Sequence, residues 1–156
     1  MVVADTSPLR YLILIAHDHL LPALFGQVHV PTGVLAELAH PSAPAAVRAW
    51  ATAAPTWITV HAAVPPVGEA GLGRGEAEAL GLALATRPSL LLVDDRAARM
   101  AARRYGLAIA GTLAVLTLAA DEGLVQLADA VTRLRHTNFR ADEALLRRVL
   151  NRDADP

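Results

Sequence analysis

The sequence predicts an α/β domain built on a mainly parallel sheet, and three observations carry that expectation. Short apolar runs alternate along the chain with longer helical patterns, the arrangement expected of strands joined by crossover helices. Glycine or proline stands at many of the boundaries, as in "LFGQVHVP" and "ATRPSLLLV", where helices stop. The 156 residues are 54% hydrophobic and contain no cysteine, so one domain can bury a core without disulfides or thiolate-bound zinc.

In chain order, Val2 to Ala4 reads as the first strand. The helix after it, over 7–16, is expected to take Ser7 as its N-cap and Pro8 as its first helical residue, where a missing N–H costs nothing. A second helix covers His19 to Gly26, which stops it. Val28 to Val30 is the second strand, followed by helices over Pro31 to Ala39 and Ser42 to Ala53, and Trp57 to His61 is the third strand. The segment Ala62 to Gly75, with Pro65, Pro66 and several glycines, reads as a flexible loop rather than a domain linker. A helix then runs from Gly75 to Thr86, a fourth strand from Leu90 to Val93, and a helix from Arg96 to Gly106 with arginines in its last turn, the favourable end of the dipole for cations. Leu107 to Ala110 is the fifth strand, and helices over Thr112–Gly123, Val125–His136 and Ala141–Asn151 complete a single domain over 1–150, with 151–156 as a tail.

Composition narrows the chemistry. All 14 basic residues are arginine, which removes every mechanism that needs a lysine, including that of a receiver domain, and the net charge of −1 supplies no global attraction to nucleic acid. No basic, apolar leader follows Met1, and the longest uncharged run, Tyr105 to Ala120, is shorter than a membrane span. A cytoplasmic protein without membrane segments is therefore expected. "GLGRG" follows a proline-rich loop rather than a strand, so it reads as entry to a helix and not as a dinucleotide loop. His17 and His19 read as a surface turn.

The acidic residues are placed less blandly. In a parallel α/β sheet, ligands bind at the carboxyl ends of the strands. Asp5 ends the first strand, Asp94 and Asp95 end the fourth, Glu37 lies in the helix after the second, and Glu76 opens the helix after the glycine-rich loop. Any one of them serves a helix dipole. Together on one edge they would repel and take up protons unless a cation compensated. With oxygen donors only, that cation should be hard, Mg²⁺ or Mn²⁺. Asp5, Glu76, Asp94 and Asp95 are the expected metal-holding carboxylates and Glu37 a further catalytic one. Glu76 and Glu78 point to different sides of their helix, and Glu76 is preferred for the site, leaving Glu78 solvated.

Read together, "VVADTSPL", "VPTGVLAEL", "GRGEAEALGLA", "LLLVDDRAARMAA" and "GTLAVLTLA" resemble, in this order, a PIN-domain protein of the VapC-like toxin branch, with its Gly-Glu-x-Glu-Ala and Asp-Asp-x-x-Ala-Arg signatures. The resemblance spans Val2 to about Leu150. It implies a three-layer α/β/α fold and a Mg²⁺- or Mn²⁺-dependent endoribonuclease, the toxin of a type II toxin–antitoxin pair. It further implies a small antitoxin partner, a homodimer, and products with a 5′-phosphate and a 3′-hydroxyl. Matched position by position, its four acids fall on Asp5, Glu37, Glu76 and the Asp94–Asp95 pair. Family members often carry aspartate where Glu76 stands and Thr-x-Asp where this chain has "VDD". The family pattern favours Asp95 and strand geometry Asp94, so both stay in the set. Thr6, Ser7 and Thr112 sit beside these acids as capping or substrate-binding hydroxyls. Arg96, Arg99 and Arg103 share a helix face suited to RNA phosphates. The alternative is a non-catalytic PIN-like binding module.

Overall fold

The computed structural model describes residues 1–141 and 143–154. Five strands, β1 (Val2–Ala4), β2 (Val28–Pro31), β3 (Ile58–His61), β4 (Leu90–Leu92) and β5 (Ile109–Ala110), form one sheet in the order β3-β2-β1-β4-β5. Every pairing is parallel. Among the described residues, nine helices accompany it: α1 (Thr6–Leu14), α2 (Leu20–Phe25), α3 (Thr32–Leu38), α4 (Ala45–Thr52), α5 (Arg74–Thr86), α6 (Arg96–Arg104), α7 (Thr112–Asp121), α8 (Leu127–Arg135) and α9 (Glu143–Ala154). The fold is three-layer α/β/α, as expected.

The strand order determines where a site belongs. From the central β1 the chain steps outward to β2 and β3, then returns to β4 on the other side of β1 and continues to β5. The crossovers that follow β1 and β2 run toward β3, whereas those that follow β3 and β4 run toward β5, and α3 packs directly against α5. The connections leaving β1 and β4 therefore diverge, opening a crevice at their carboxyl ends. Register brings the two ends level: Ala4 lies opposite Leu92, and Asp5 N–H donates to the Leu92 carbonyl at 2.9 Å.

The central strands are apolar because both faces are covered. Val3, Ala4 and Leu92 are fully buried, as are Leu9 and Leu12 of α1 and Ala83 and Leu80 of α5. The chain divides into two compact units, Met1–Thr112 and Leu113–Pro156. The first holds the whole sheet. In the second, α8 and α9 pack together, burying Leu127, Val131, Leu134 and Leu146, and Arg152 pairs with Asp121 at 2.9 Å.

Several local expectations are corrected. Helix α1 begins directly at the strand end: Asp5, with extended backbone, is its N-cap residue, and Thr6, Ser7 and Pro8 form its first turn. Ser7 is therefore not the cap. Proline is still tolerated at the third position, because the first four helical N–H groups have no partner within the helix. The segment after β3 is pinned rather than free. Val67 N–H donates to the Ala77 carbonyl, Glu69 holds Arg104 and Tyr105, and the Pro65 carbonyl presses on α5 where Gly81 has no side chain. His17 is buried, not part of a surface turn: Ala16 adopts a left-handed conformation at φ 60°, and His17 N–H returns to the Leu12 carbonyl. Helix α9 continues through residues 151–154 of the expected tail, while residues 155–156, and Asp142 in the last expected helix, lie outside the described residues.

Candidate active site

Asp5 sits at the crevice between β1 and β4. It is 1% exposed, and neither carboxylate oxygen has a hydrogen-bond partner. Its pKa is pushed up to about 7, first by burial and then by the carboxylates of Glu76, Glu37 and Asp94, against the adjacent Thr6 N–H, which lies close without the geometry of a hydrogen bond and lowers it. A buried, unpartnered carboxylate is costly. This one faces three more acids brought in by three different elements.

Asp94 and Asp95 divide their work. The Asp95 side chain accepts from Ala98 N–H at 3.0 Å, capping α6 as an aspartate at an N-cap does. Asp94 turns toward the neighbouring strand end. Its Oδ1 accepts from Thr112 N–H at 2.7 Å and its Oδ2 from the Thr112 hydroxyl at 2.6 Å. Burial raises the Asp94 pKa, while the two Thr112 bonds and the charge of Arg99 lower it. The Arg99 side chain folds back so that one guanidinium N–H donates to the Val93 carbonyl at 2.9 Å. Arg96 and Arg103, expected on the same face, remain exposed.

Glu37 and Glu78 tie α3 to α5 reciprocally. Glu37, on α3, accepts from Gly75 N–H in the first turn of α5 at 2.7 Å and from the Thr6 hydroxyl. Glu78, on α5, accepts from Gly33 N–H in the first turn of α3 at 2.7 Å. Each helix thus lends a carboxylate to an orphan donor of the other. Glycine is needed at both points: a Cβ at Gly33 would lie 2.3 Å from Glu78, and one at Gly75 would lie 2.5 Å from Glu37. Glu78 is buried and also paired with Arg74, which corrects the expectation that it is solvated. Its partner Gly33 lies 45 residues earlier and leaves no local pattern around Glu78. Glu78→Ala, which strands a buried donor, is expected to cost about 1–3 kcal/mol. Glu78→Gln, which keeps an acceptor, should recover most of it, as urea denaturation would report.

Glu76 lies in the first turn of α5 and reaches back to accept from Gly73 N–H at 2.9 Å. Gly73 has no side chain to reciprocate, so only half of a capping box forms. Burial raises the Glu76 pKa, the Gly73 bond lowers it, and Asp95 and Glu37 raise it further. Asp5, Glu37, Glu76, Asp94 and Asp95 therefore act on one another electrostatically, whereas Glu78 is turned to Gly33. Thr6 and Thr112 serve Glu37 and Asp94; Ser7 lies in the first turn of α1 and is half-buried.

Among the described residues, no group of three or more histidine, cysteine or acidic side chains stands close enough together to hold a metal ion by itself. Mg²⁺ does not require one: it keeps several waters and is held through one or two carboxylates plus substrate phosphates. A buried carboxylate with both oxygens unpartnered, next to further acids and without nitrogen or sulfur donors, fits a hard divalent ion.

Comparisons with curated proteins and with solved structures each found no match. The family model describing the PIN domain matches residues 1–154, from the first strand through the last helix. With its α/β/α layers and its acids gathered at the divergence of β1 and β4, the chain belongs to the PIN-domain family.

Proposed function

We propose that this protein is a Mg²⁺- or Mn²⁺-dependent endoribonuclease that hydrolyses RNA phosphodiesters. The observation that carries the reading is Asp5, buried, unpartnered and pushed up to about 7 beside three other carboxylates. Membership of a family whose members are generally nucleases supports it. Asp5, Glu76, Asp94 and Asp95 are the residues that would hold the ion. When bound, it would activate water and offset charge on the phosphodiester in the transition state.

The chain's own groups have separable tasks. Asp5 brings the least compensated negative charge, at the bottom of the crevice. Thr112 restricts Asp94 to one orientation, leaving its remaining lone pairs to face the crevice. Glu37, with each oxygen already accepting one hydrogen bond, orients the start of α5 and so places Glu76. A carboxylate not engaged with the ion accepts the proton of the attacking water. The exposed Arg96 and Arg103 supply phosphate contacts that position the RNA strand.

Within this reading the protein is the toxin of a type II pair, VapC-like, cytoplasmic, dimeric and restrained by a small antitoxin, as the sequence motifs suggest. No helix among the described residues is long and apolar enough to cross a membrane.

The test is incubation of the purified chain with structured RNA and Mn²⁺, followed by end-group analysis. Cleavage that leaves 5′-phosphate and 3′-hydroxyl ends and stops on chelation is expected. Intact RNA across a range of structured substrates, or cleavage indifferent to chelator, would refute the assignment and favour a binding module.

A further inference from the structure

Away from the carboxylates, β2 and β3 each carry a histidine. The parallel register sets His29 opposite Thr59 and His61 opposite Pro31, so the two histidines are diagonal neighbours on one sheet face. Nδ1 of His29 lies 2.9 Å from Nε2 of His61, with ring centroids 5.1 Å apart and planes tilted by 42°. At that separation one ring donates and the other accepts, and only one proton fits between them. β3 is the outermost strand of the sheet, and both side chains are half-buried, so the pair is fixed by strand pairing yet open to solvent on one side.

The same separation suits a second occupant. Imidazole nitrogens bind Zn²⁺ at about 2.0–2.1 Å. Two nitrogens 2.9 Å apart, each at that distance, subtend about 90° at a shared ion, the angle between adjacent positions of a square or octahedral centre. Metal ligation needs neutral imidazole, and burial, with His61 next in importance, lowers the proton affinity of His29.

We propose that His29 and His61 form a two-imidazole chelate for a borderline divalent ion of the Cu²⁺, Ni²⁺ and Zn²⁺ class. No third histidine, cysteine or acid joins them among the described residues, so water or a donor from a bound molecule fills the other positions. The selectivity is opposite to that of the carboxylate crevice. Nitrogen donors favour Cu²⁺ over Ni²⁺ and Zn²⁺, bind Mn²⁺ weakly, and leave Mg²⁺ in water. The site requires nothing of the nuclease reading.

The experiment is a Ni²⁺ titration of the full chain in excess Mg²⁺, followed by calorimetry and by paramagnetic broadening of the histidine ring protons. One Ni²⁺ per chain is expected, with broadening strongest at His29 and His61. Either His29→Gln or His61→Gln should weaken binding about tenfold or more by removing half of the chelate. Asp5→Asn and His40→Gln should leave binding unchanged. No Ni²⁺ binding, broadening centred on other histidines, or binding indifferent to both substitutions would overturn the proposal. Because broadening is read on the unsubstituted protein, it decides the matter even if a variant folds poorly.

Discussion

Asp5→Asn is expected to make the metal-free protein more stable at pH 8 while abolishing cleavage. The carboxyl of Asp5 is pushed up to about 7 from an ordinary value of 3.8, so between those two values the folded chain holds a proton that the unfolded chain has released. Stability therefore falls as pH rises through this window, and the full penalty is present above it. Three pKa units correspond to about 4 kcal/mol as an upper scale. Asparagine is never charged and escapes that cost. The melting temperature of Asp5→Asn minus that of the unsubstituted protein should be near zero at pH 4 and grow to on the order of 10 °C at pH 8. Saturating Mn²⁺ should raise the melting temperature of the unsubstituted protein at pH 8 and raise that of the variant much less, because the variant lacks one of the carboxylates that hold the ion. A difference that shrinks with rising pH would contradict the burial account of Asp5.

The second large effect is at Gly111. A Cβ there would lie 2.7 Å from Oδ1 of Asp94 and 3.1 Å from the Arg99 guanidinium. Neither neighbour is free to yield: Oδ1 is held by Thr112 N–H, and the guanidinium is held by the Val93 carbonyl. Gly111→Ala should cost about 1–3 kcal/mol through overpacking and roughly 100-fold in cleavage rate, the scale of an ångström's displacement at a reacting centre. Gly106→Ala is the contrasting variant. Gly106 has a φ of +73° and no atom near its missing Cβ, so alanine there incurs backbone strain of about 1–2 kcal/mol without touching an acid. Stability should fall in both variants, and cleavage only in Gly111→Ala. Equal loss of cleavage in both would mean that Asp94 has no special place in the chemistry.

The contrast between these glycines also shows what was legible in the sequence. Gly26, Gly106 and Gly123 act through their own positive φ, and each was readable as a helix stop because the cause is local. The alternation of apolar runs and helices gave away the parallel sheet, since covered strands must be apolar on both faces. Strand ends were placed within a residue or two, which was enough to put Asp5, Asp94 and Asp95 at one edge. What stayed hidden depends on partners far along the chain. Glu78 looked like a solvated neighbour of Glu76 because its acceptor role is answered by Gly33, 45 residues earlier. The division between Asp94 and Asp95 required Thr112, 18 residues later. His29 and His61 carried no local signal, since only the β2–β3 register brings them together.

The central claim is that Asp5 anchors the ion on which RNA cleavage depends. It is tested most directly by comparing the cleavage rates of the unsubstituted chain and Asp5→Asn on the same structured RNA in saturating Mn²⁺, after both are shown to melt cooperatively. The account predicts cleavage by the first and a loss of about 1,000-fold or more in the second, the scale of removing a group that stabilises developing charge; equal rates from the two proteins would contradict it.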